Sequence, residues 1–384
     1  MDRVSKVKPN TKFLVVAVLL VGVAIGYGIN LINPATTLIT TTKYVTTVVT
    51  SREVTTATST VVGKYPLTVV DSLGRSITIN RPPERVVSLA PSITEILFAL
   101  GLDDRVVGVD DFSNYPPKVV ELINEGKVKT VGGFWNPDIE KIASLKPDLV
   151  IASSGTPPHI RLKDKLSELG ITVIYVKSTS AQDVNDIFSD IQLIAVVFDV
   201  LDRSSKLIAE VQNTLNSITQ KLNEVNASKP KVLHLVGPPS WGIFSSGGNT
   251  FIGWVIKTAG GVNVAEQYVG WPQLSYEYIV TQDPDIIVIT ATGLDPKAVY
   301  EEIAGSPIKG TKAFKNGRIY LLTGEADDVL SRPGPRVNVA LEILAKLIHP
   351  EIFGFIQRSD VINITQFETT PVSSISVLEG EVPS

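Results

Sequence analysis

Two stretches decide the fold: IEKIASLKPDLVIA at residues 139–152 and YEYIVTQDPDIIVIT at residues 276–290. Each begins with apolar residues at helical spacing, turns at a Pro-Asp pair, and ends on an uninterrupted apolar run. A run of that kind after a helix and a turn is the pattern of a strand covered on both faces, as in a parallel sheet. One offset, 284 − 147 = 137, aligns Pro147-Asp148 with Pro284-Asp285, Glu140 with Glu277, Ile142 with Ile279 and Phe134 with Trp271. A helix, a turn and a buried strand therefore occur once in each half, the sign of an internal duplication.

Further short strands are expected at Arg85–Leu89, Val106–Val109, Val173–Val176, Val232–Val236 and Ile319–Leu322, with helical patterns between most of them. Strands alternating with helices imply an α/β protein with mainly parallel sheets. LTVVDSLGRSITIN, from Leu67, reads as a hairpin turning at Ser72-Leu73-Gly74. Ser92 followed by Glu95 has the spacing of a capping box, which predicts a helix over Ile93–Leu100. Asp183 to Val225 holds neither Gly nor Pro, and Leu207, Val211, Leu215, Ile218, Leu222 and Val225 recur every three or four residues. That spacing predicts a long amphipathic helix, preceded by another, lying between two similar α/β lobes as a rigid connector. Two lobes joined in this way leave a cleft between them, the usual place for a ligand.

The 384 residues divide accordingly. Residues 1–12 carry Arg3, Lys6, Lys8 and Lys12 as a basic N-terminus, and residues 13–32 are an uncharged apolar run. About 20 helical residues at roughly 1.5 Å each cross a hydrocarbon core of roughly 30 Å, and the cations before them place that end in the cytoplasm. A retained transmembrane helix is expected, with everything after it outside. Residues 33–63 form a Thr-rich stalk: twelve of the 25 residues from Thr36 to Thr60 are Thr, which suits an extended chain. An N-terminal lobe over 64–182, a helical connector over 183–228, a C-terminal lobe over 229–355 and a flexible tail over 356–384 complete the organisation.

Composition narrows the functional classes. Lys+Arg 35 against Asp+Glu 39 leave a net charge of −4, without the basic field of a nucleic-acid-binding protein. The absence of cysteine removes disulfides, thiolate metal sites, cysteine nucleophiles and a lipid-modified Cys. His159, His234 and His349 lie 75 and 115 residues apart, so no local metal-ligand spacing exists. No phosphate-binding loop, no G-x-G-x-x-G after a strand, no H-E-x-x-H and no G-x-S-x-G occurs. No catalytic residue, intrinsic cofactor or metal site is expected, and the protein is read as a non-enzyme.

Aromatic residues fall instead in loop-like segments near the expected strand ends. They are Phe112 and Tyr115 in DFSNYPP, Phe134 and Trp135 in GGFWNPD, Trp241 and Phe244 in PPSWGIFSS, and Trp271 in VGWPQLS. Rings on Gly- and Pro-rich loops either grip a large flat ligand by stacking and area burial at low entropic cost, or anchor their own loops. In GEADDVLSRPGPRV, Asp327, Asp328, Arg332 and Arg336 are expected in a Gly/Pro-rich loop before a helix over Val337–Leu347. An Asp and an Arg there either hydrogen-bond polar groups of a ligand or form an ion pair within the chain. Glu140 and Glu277, in the first turns of the duplicated helices, either complement the helix dipole or offer one carboxylate per lobe to arginines of a pseudo-symmetric partner.

D-x-x-G-R at Asp71–Arg75, RVVSLAPSITE at Arg85–Glu95, KPDLVI at Lys146–Ile151 and the later WPQLSYEYI and DPDIIVI segments carry a family likeness. Over roughly Tyr65 to Phe353 the chain resembles the substrate-binding proteins of ABC importers for vitamin B12, ferric siderophores and haem. FSNYPP and WPQLSYE are most similar to the vitamin B12-binding branch. The resemblance implies two lobes bridged by a long helix with only small hinge motion. It also implies that Phe112, Phe134, Phe244 and Trp271 face the corrin with Asp328 beside it, and that Glu140 and Glu277 dock on the permease. The chain departs from that branch at Ser153, where an aromatic can follow the KPDLVIA strand, so a ferric siderophore or haem is the alternative ligand. Arg332 and Arg336 suit an anionic chelate, while axial ligation of haem iron by Tyr115, Tyr268 or another Tyr is left open.

The expected protein is a monomeric, membrane-tethered, extracytoplasmic receptor that hands cobalamin or a related corrinoid to ABC permease subunits and their cytoplasmic ATPase. Two other classes compete. An enzyme on a two-lobed scaffold needs a nucleophile–base pair that the sequence lacks, and a structural surface protein needs no aromatic cleft.

Overall fold

The computed structural model describes residues 64–368. The basic N-terminus, the expected anchor at 13–32 and the stalk at 33–63 lie outside the described residues, as do residues 369–384 of the tail. Among the described residues no helix is long and apolar enough to cross a membrane.

The expected hairpin forms first: β1 (Leu67–Val70) pairs antiparallel with β2 (Ser76–Ile79), Leu67 opposite Ile79. Asp71 closes the turn, accepting the N–H groups of Leu73 and Arg75 and pairing with the Arg75 guanidinium at 2.5 Å. The same carboxylate accepts the Tyr175 N–H, and the Arg75 guanidinium lies 4.7 Å from the centre of the Tyr175 ring. D-x-x-G-R is thus the clip that fastens the hairpin to the first sheet.

That sheet contains β3 (Val86–Ser88), β4 (Val106–Val109), β5 (Lys129–Thr130), β8 (Leu149–Ser153) and β9 (Thr172–Val176). Its order is β5-β4-β3-β8-β9 with every neighbour parallel. Two short strands, β6 (Gly132–Gly133) and β7 (Asn136–Pro137), make a small antiparallel hairpin beside it. The second sheet contains β10 (Lys231–Val236), β11 (Val262–Asn263), β12 (Ile286–Thr290), β13 (Ile319–Leu322) and β14 (Val361–Asn363). Its order is β11-β10-β12-β13-β14, parallel except for the last pair. In both sheets the first strand lies inside: β3 has β4 and β5 on one side and β8 and β9 on the other, and β10 has β11 on one side and β12, β13 and β14 on the other. In each, the chain therefore reverses its direction of winding beside its first strand.

The duplication holds in atomic detail. Asp138 and Ser275 (275 − 138 = 137) cap the helices Ile139–Ser144 and Tyr276–Gln282 with their side-chain oxygens. Lys146 and Asp283, again one offset apart, take left-handed φ values of 47° and 48° to turn the chain toward its strand. Asp148 accepts the Arg85 N–H at 3.0 Å, and Asp285 accepts the Lys231 N–H at 2.8 Å. The side chains of Arg85 and Lys231 then reach the carbonyls of Leu145 and Gln282 at the ends of those helices.

Between the sheets run the helices Val184–Phe198 and Leu201–Glu224, separated at Asp199, which takes φ 59°. The second, 24 residues long, spans about 36 Å. Its stripe of Leu207, Val211, Leu215, Ile218 and Leu222 packs on the helix Val337–Ile348 and on its predecessor. One continuous core passes from the first sheet through these helices into the second, while a smaller core covers the outer face of each sheet.

Some local expectations are corrected. The helix after β3 runs from Pro91 to Ala99 with Ala90 as N-cap, and no capping box forms. Ser92 Oγ instead meets Ser178 Oγ at 2.8 Å, and Glu95, only 3% exposed, is drawn into a tertiary ion pair. Val225 is exposed because the long helix ends at Glu224. The tail is not flexible from residue 356: β14 adds to the open edge of β13, and Asn363 donates to the Gly317 carbonyl. Three residues of mixed polarity carry no periodic signal, but a sheet edge supplies them with backbone partners.

Candidate functional site

In an open α/β sheet the side chains free to meet a ligand stand on the loops after the carboxyl ends of the strands, near the point where the winding reverses. Every expected site residue falls on such a loop or on the helix after it. Phe112 and Tyr115 follow β4, and Phe134 and Trp135 sit between β6 and β7. Trp241 and Phe244 follow β10, Trp271 follows β11, and Asp328 and Arg332 follow β13. Asp327 and Asp328 stand on the helix Gly324–Ser331 and not in the expected loop, with Arg332 as its C-cap.

On the first lobe, Asp110 shapes the loop by accepting the Phe112 N–H at 2.9 Å and the Ser113 hydroxyl at 2.6 Å. Burial pushes the Asp110 carboxyl up, against these bonds and the charge of Arg332. The Phe112 ring is left exposed. Phe134 is buried, edge-on to both Trp135 (4.8 Å between ring centres) and His159 (5.0 Å), while Trp135 projects outward. His159 Nδ1 accepts the Ser153 N–H at 3.2 Å, so Nε2 carries the proton and donates to the Phe134 carbonyl at 2.9 Å. Burial pushes its pKa down to about 4, opposed by the bond to Phe134, and the neutral ring pins the Phe134–Trp135 turn. Ser153 is fully buried, with its hydroxyl 3.0 Å from Thr179 Oγ1, and lies beneath the Phe134–Trp135 turn, to which it is linked through His159.

On the second lobe, Trp241 lies flat on Gly237, where a Cβ would stand 2.2 Å from its ring. Only glycine, here also at φ 80°, permits that approach. Phe244 bridges Gln273, and the Ser245 N–H donates to the Pro272 carbonyl, which laces the Phe244 and Trp271 segments together. The Trp271 ring is exposed and edge-on to the buried His234, 6.4 Å between centres. Burial pushes the His234 pKa down to about 3, and its Nε2 lies 3.0 Å from Thr290 Oγ1.

The two lobes meet through charged groups. Arg332 lies 2.7 Å from Asp328, donates to Asn114 Oδ1 at 2.7 Å, and stands 3.5 Å from Glu95. Asn114 returns a bond to Asp328 at 3.2 Å. Burial raises the Asp328 pKa, against the charge of Arg332 and the Asn114 bond. Arg336 grips Glu95 with two bonds, 2.9 Å from Nε and 2.6 Å from Nη2, and reaches Glu325 at 3.2 Å with Nη1. Its guanidinium covers the Tyr115 ring at 3.8 Å. Burial alone would lower the Arg336 pKa, but Glu95, with Glu325 and Asp328, more than offsets it and holds the guanidinium above its usual value. Of the two readings of this segment, the ion pair within the chain is the one the geometry displays. Removing one partner of a buried pair costs about 3–5 kcal/mol, because the other is left charged and dry.

Glu140 and Glu277 are exposed in the first turns of their helices, beside the caps Asp138 and Ser275. An open cavity of about 480 Å³ lies elsewhere, between the long helix and Val337–Ile348, and none of the expected residues lines it. Sequence reasoning missed Glu95, Asn114 and His159 as parts of the site. The available signal was a charged or polar side chain inside an otherwise apolar or loop-forming segment, which does not identify its partner.

Residues 86–326 match the periplasmic binding protein family. The chain is similar to the ABC transporter substrate-binding lipoprotein YvrC of Bacillus subtilis (strain 168), 34% identical over 292 residues, 75% of this chain and 87% of that one. It is 29% identical to a cobalamin-binding protein of Halobacterium salinarum over 292 residues, 74% of each. Among solved structures it resembles the periplasmic heme-binding protein RhuT of Roseiflexus sp. RS-1 in apo form, with TM-score 0.59 and 26% identity over 69% of this chain and 98% of that one. Sheet order, loops at the strand ends and these likenesses agree: the chain belongs to the periplasmic binding protein family, the non-enzymatic substrate-binding components of ABC transporters.

Proposed function

We propose that the protein captures cobalamin or a related corrinoid between its two lobes and delivers it to the permease of an ABC importer. One observation carries the reading. Exposed rings stand at the strand ends of both lobes, Phe112 and Trp135 on one and Trp241, Phe244 and Trp271 on the other, while the nearby arginines are already neutralised. Such a site buries a large, flat, uncharged and amide-fringed macrocycle by stacking and area, with little to offer an anion. The cobalamin-binding relative of Halobacterium salinarum supports the same choice. A ferric siderophore or haem is the second reading, favoured by the likeness to the heme-binding RhuT.

In this reading residues 64–182 and 229–355 are the two lobes and 183–228 their connector. Residues 13–32 tether the chain to the membrane, so capture takes place on the extracytoplasmic side. Glu140 and Glu277, one exposed carboxylate per lobe, dock on the permease subunits, which act with their cytoplasmic ATPase. The test is calorimetric titration of the full chain in detergent with cyanocobalamin, and in parallel with haemin and a ferric hydroxamate. Sub-micromolar binding of cyanocobalamin is expected, weakened at least about tenfold by Trp271→Ala, as for an aromatic hot spot. Tight binding of a ferric chelate without cyanocobalamin binding would sink the corrinoid assignment.

A further inference from the structure

We propose that Glu95 and Arg336 form a fixed latch across the cleft, a second connection between the lobes besides the long helix, and that this pair sets the lobe spacing at which ligand is held. Glu95 stands on the helix Pro91–Ala99 of the first lobe, and Arg336 is the N-cap of Val337–Ile348 on the second. They are 241 residues apart in the chain. Their two bonds, 2.9 and 2.6 Å, use the Nε–Nη2 edge of the guanidinium against both carboxylate oxygens, the planar fork that only Arg provides. Glu95 is 3% and Arg336 8% exposed, so neither salt nor water screens the pair.

The latch is braced on both sides. From the first lobe Tyr115 stacks on the guanidinium. From the second, Glu325 takes the remaining Nη1 bond and is itself held by Arg358 at 2.8 Å, which pairs with Asp360 at 2.7 Å. Alternating charges therefore run from the segment before β14 to the first lobe: Asp360, Arg358, Glu325, Arg336, Glu95. Arg332 adds a second cation to Glu95 and holds Asn114 and the Phe112 carbonyl on the opposite lobe. Drawing the lobes apart would break these bonds together and leave Glu95 buried without its donors. Because Arg332 bonds the backbone of Phe112, the latch adjoins the aromatic wall. Glu95 and Arg336 are therefore positioning residues, acting on ligand through lobe spacing, and that last step rests on the proposed ligand lying among the rings.

The chain has no cysteine, so Glu125→Cys and Lys297→Cys place one spin label on each lobe of the otherwise unaltered full chain. Pulsed electron paramagnetic resonance then reads the lobe-to-lobe distance directly. A single narrow distribution is expected without ligand, unchanged by cyanocobalamin. Glu95→Gln and Arg336→Met should broaden it, with Arg336→Lys, which keeps the charge but loses the fork, falling between. Cyanocobalamin should leave the two neutralising variants at least about tenfold faster. A broad or two-peaked distribution in the chain with an intact latch overturns the proposal, and this arm needs no latch variant to fold. So does a narrow, unshifted peak in folded Glu95→Gln. Failure of cyanocobalamin to bind would count against the corrinoid reading alone, since the distances still decide the latch.

Discussion

His159 shows how one side chain ties the chemistry of the site to the stability of the fold. Its ring accepts from Ser153 and donates to Phe134, a task only the neutral form performs. The folded pKa, about 4, lies below the ordinary value of 6.5. As pH falls below 6.5 the unfolded chain therefore takes up a proton that the folded chain refuses. Stability is lost on acidification until about pH 4, and roughly 2 kcal/mol of this is already gone at pH 5. His159→Gln keeps an acceptor and a donor but does not titrate. It should be less stable than the parent at pH 7, with the gap narrowing by roughly 2 kcal/mol at pH 5 in urea denaturation. Parallel losses in both proteins would show that His159 is not held neutral. At this scale residue types were legible in the sequence and partners were not. Ser92 and Glu95 have the spacing of a local cap, yet each bonds to a residue far along the chain.

Periodicity made most elements readable. Val106–Val109, Ile286–Thr290 and Ile319–Leu322 occur as strands with the bounds expected, because strands covered on both faces are uninterrupted apolar runs. The duplicated helix–turn–strand was legible for a physical reason: its cap, left-handed turn and Asp clip all require particular residue types at fixed spacing. β14 was illegible, since its partners come from an existing sheet edge and not from its own pattern. The stripe of the long helix makes a sharp prediction about depth. Ile218, 4% exposed, faces the core, whereas Val225 ends the stripe in solvent. Ile218→Ala should cost about 2–4 kcal/mol in urea denaturation and Val225→Ala no more than about 0.5. Equal effects would mean that the helix is not seated on that face.

For the whole molecule, sequence order showed two lobes and a connector but not how the lobes meet. That contact is made by Glu95, Asn114 and Tyr115 with residues more than two hundred positions away, and no periodic pattern encodes a partner at that distance. In the proposed reading, delivery to a permease is also a property of the assembled pair of lobes. Glu140 and Glu277 are exposed. Glu140→Ala with Glu277→Ala should leave cyanocobalamin affinity within about twofold while abolishing uptake through the reconstituted transporter. Uptake that survives the double change would remove the docking role. The continuous core adds a consequence for the life of the molecule. Since the same apolar cluster contains the helices between the lobes and one face of each sheet, there is no seam at which one lobe can melt while the other stays ordered. A lesion deep in either lobe is therefore expected to lower the survival of both.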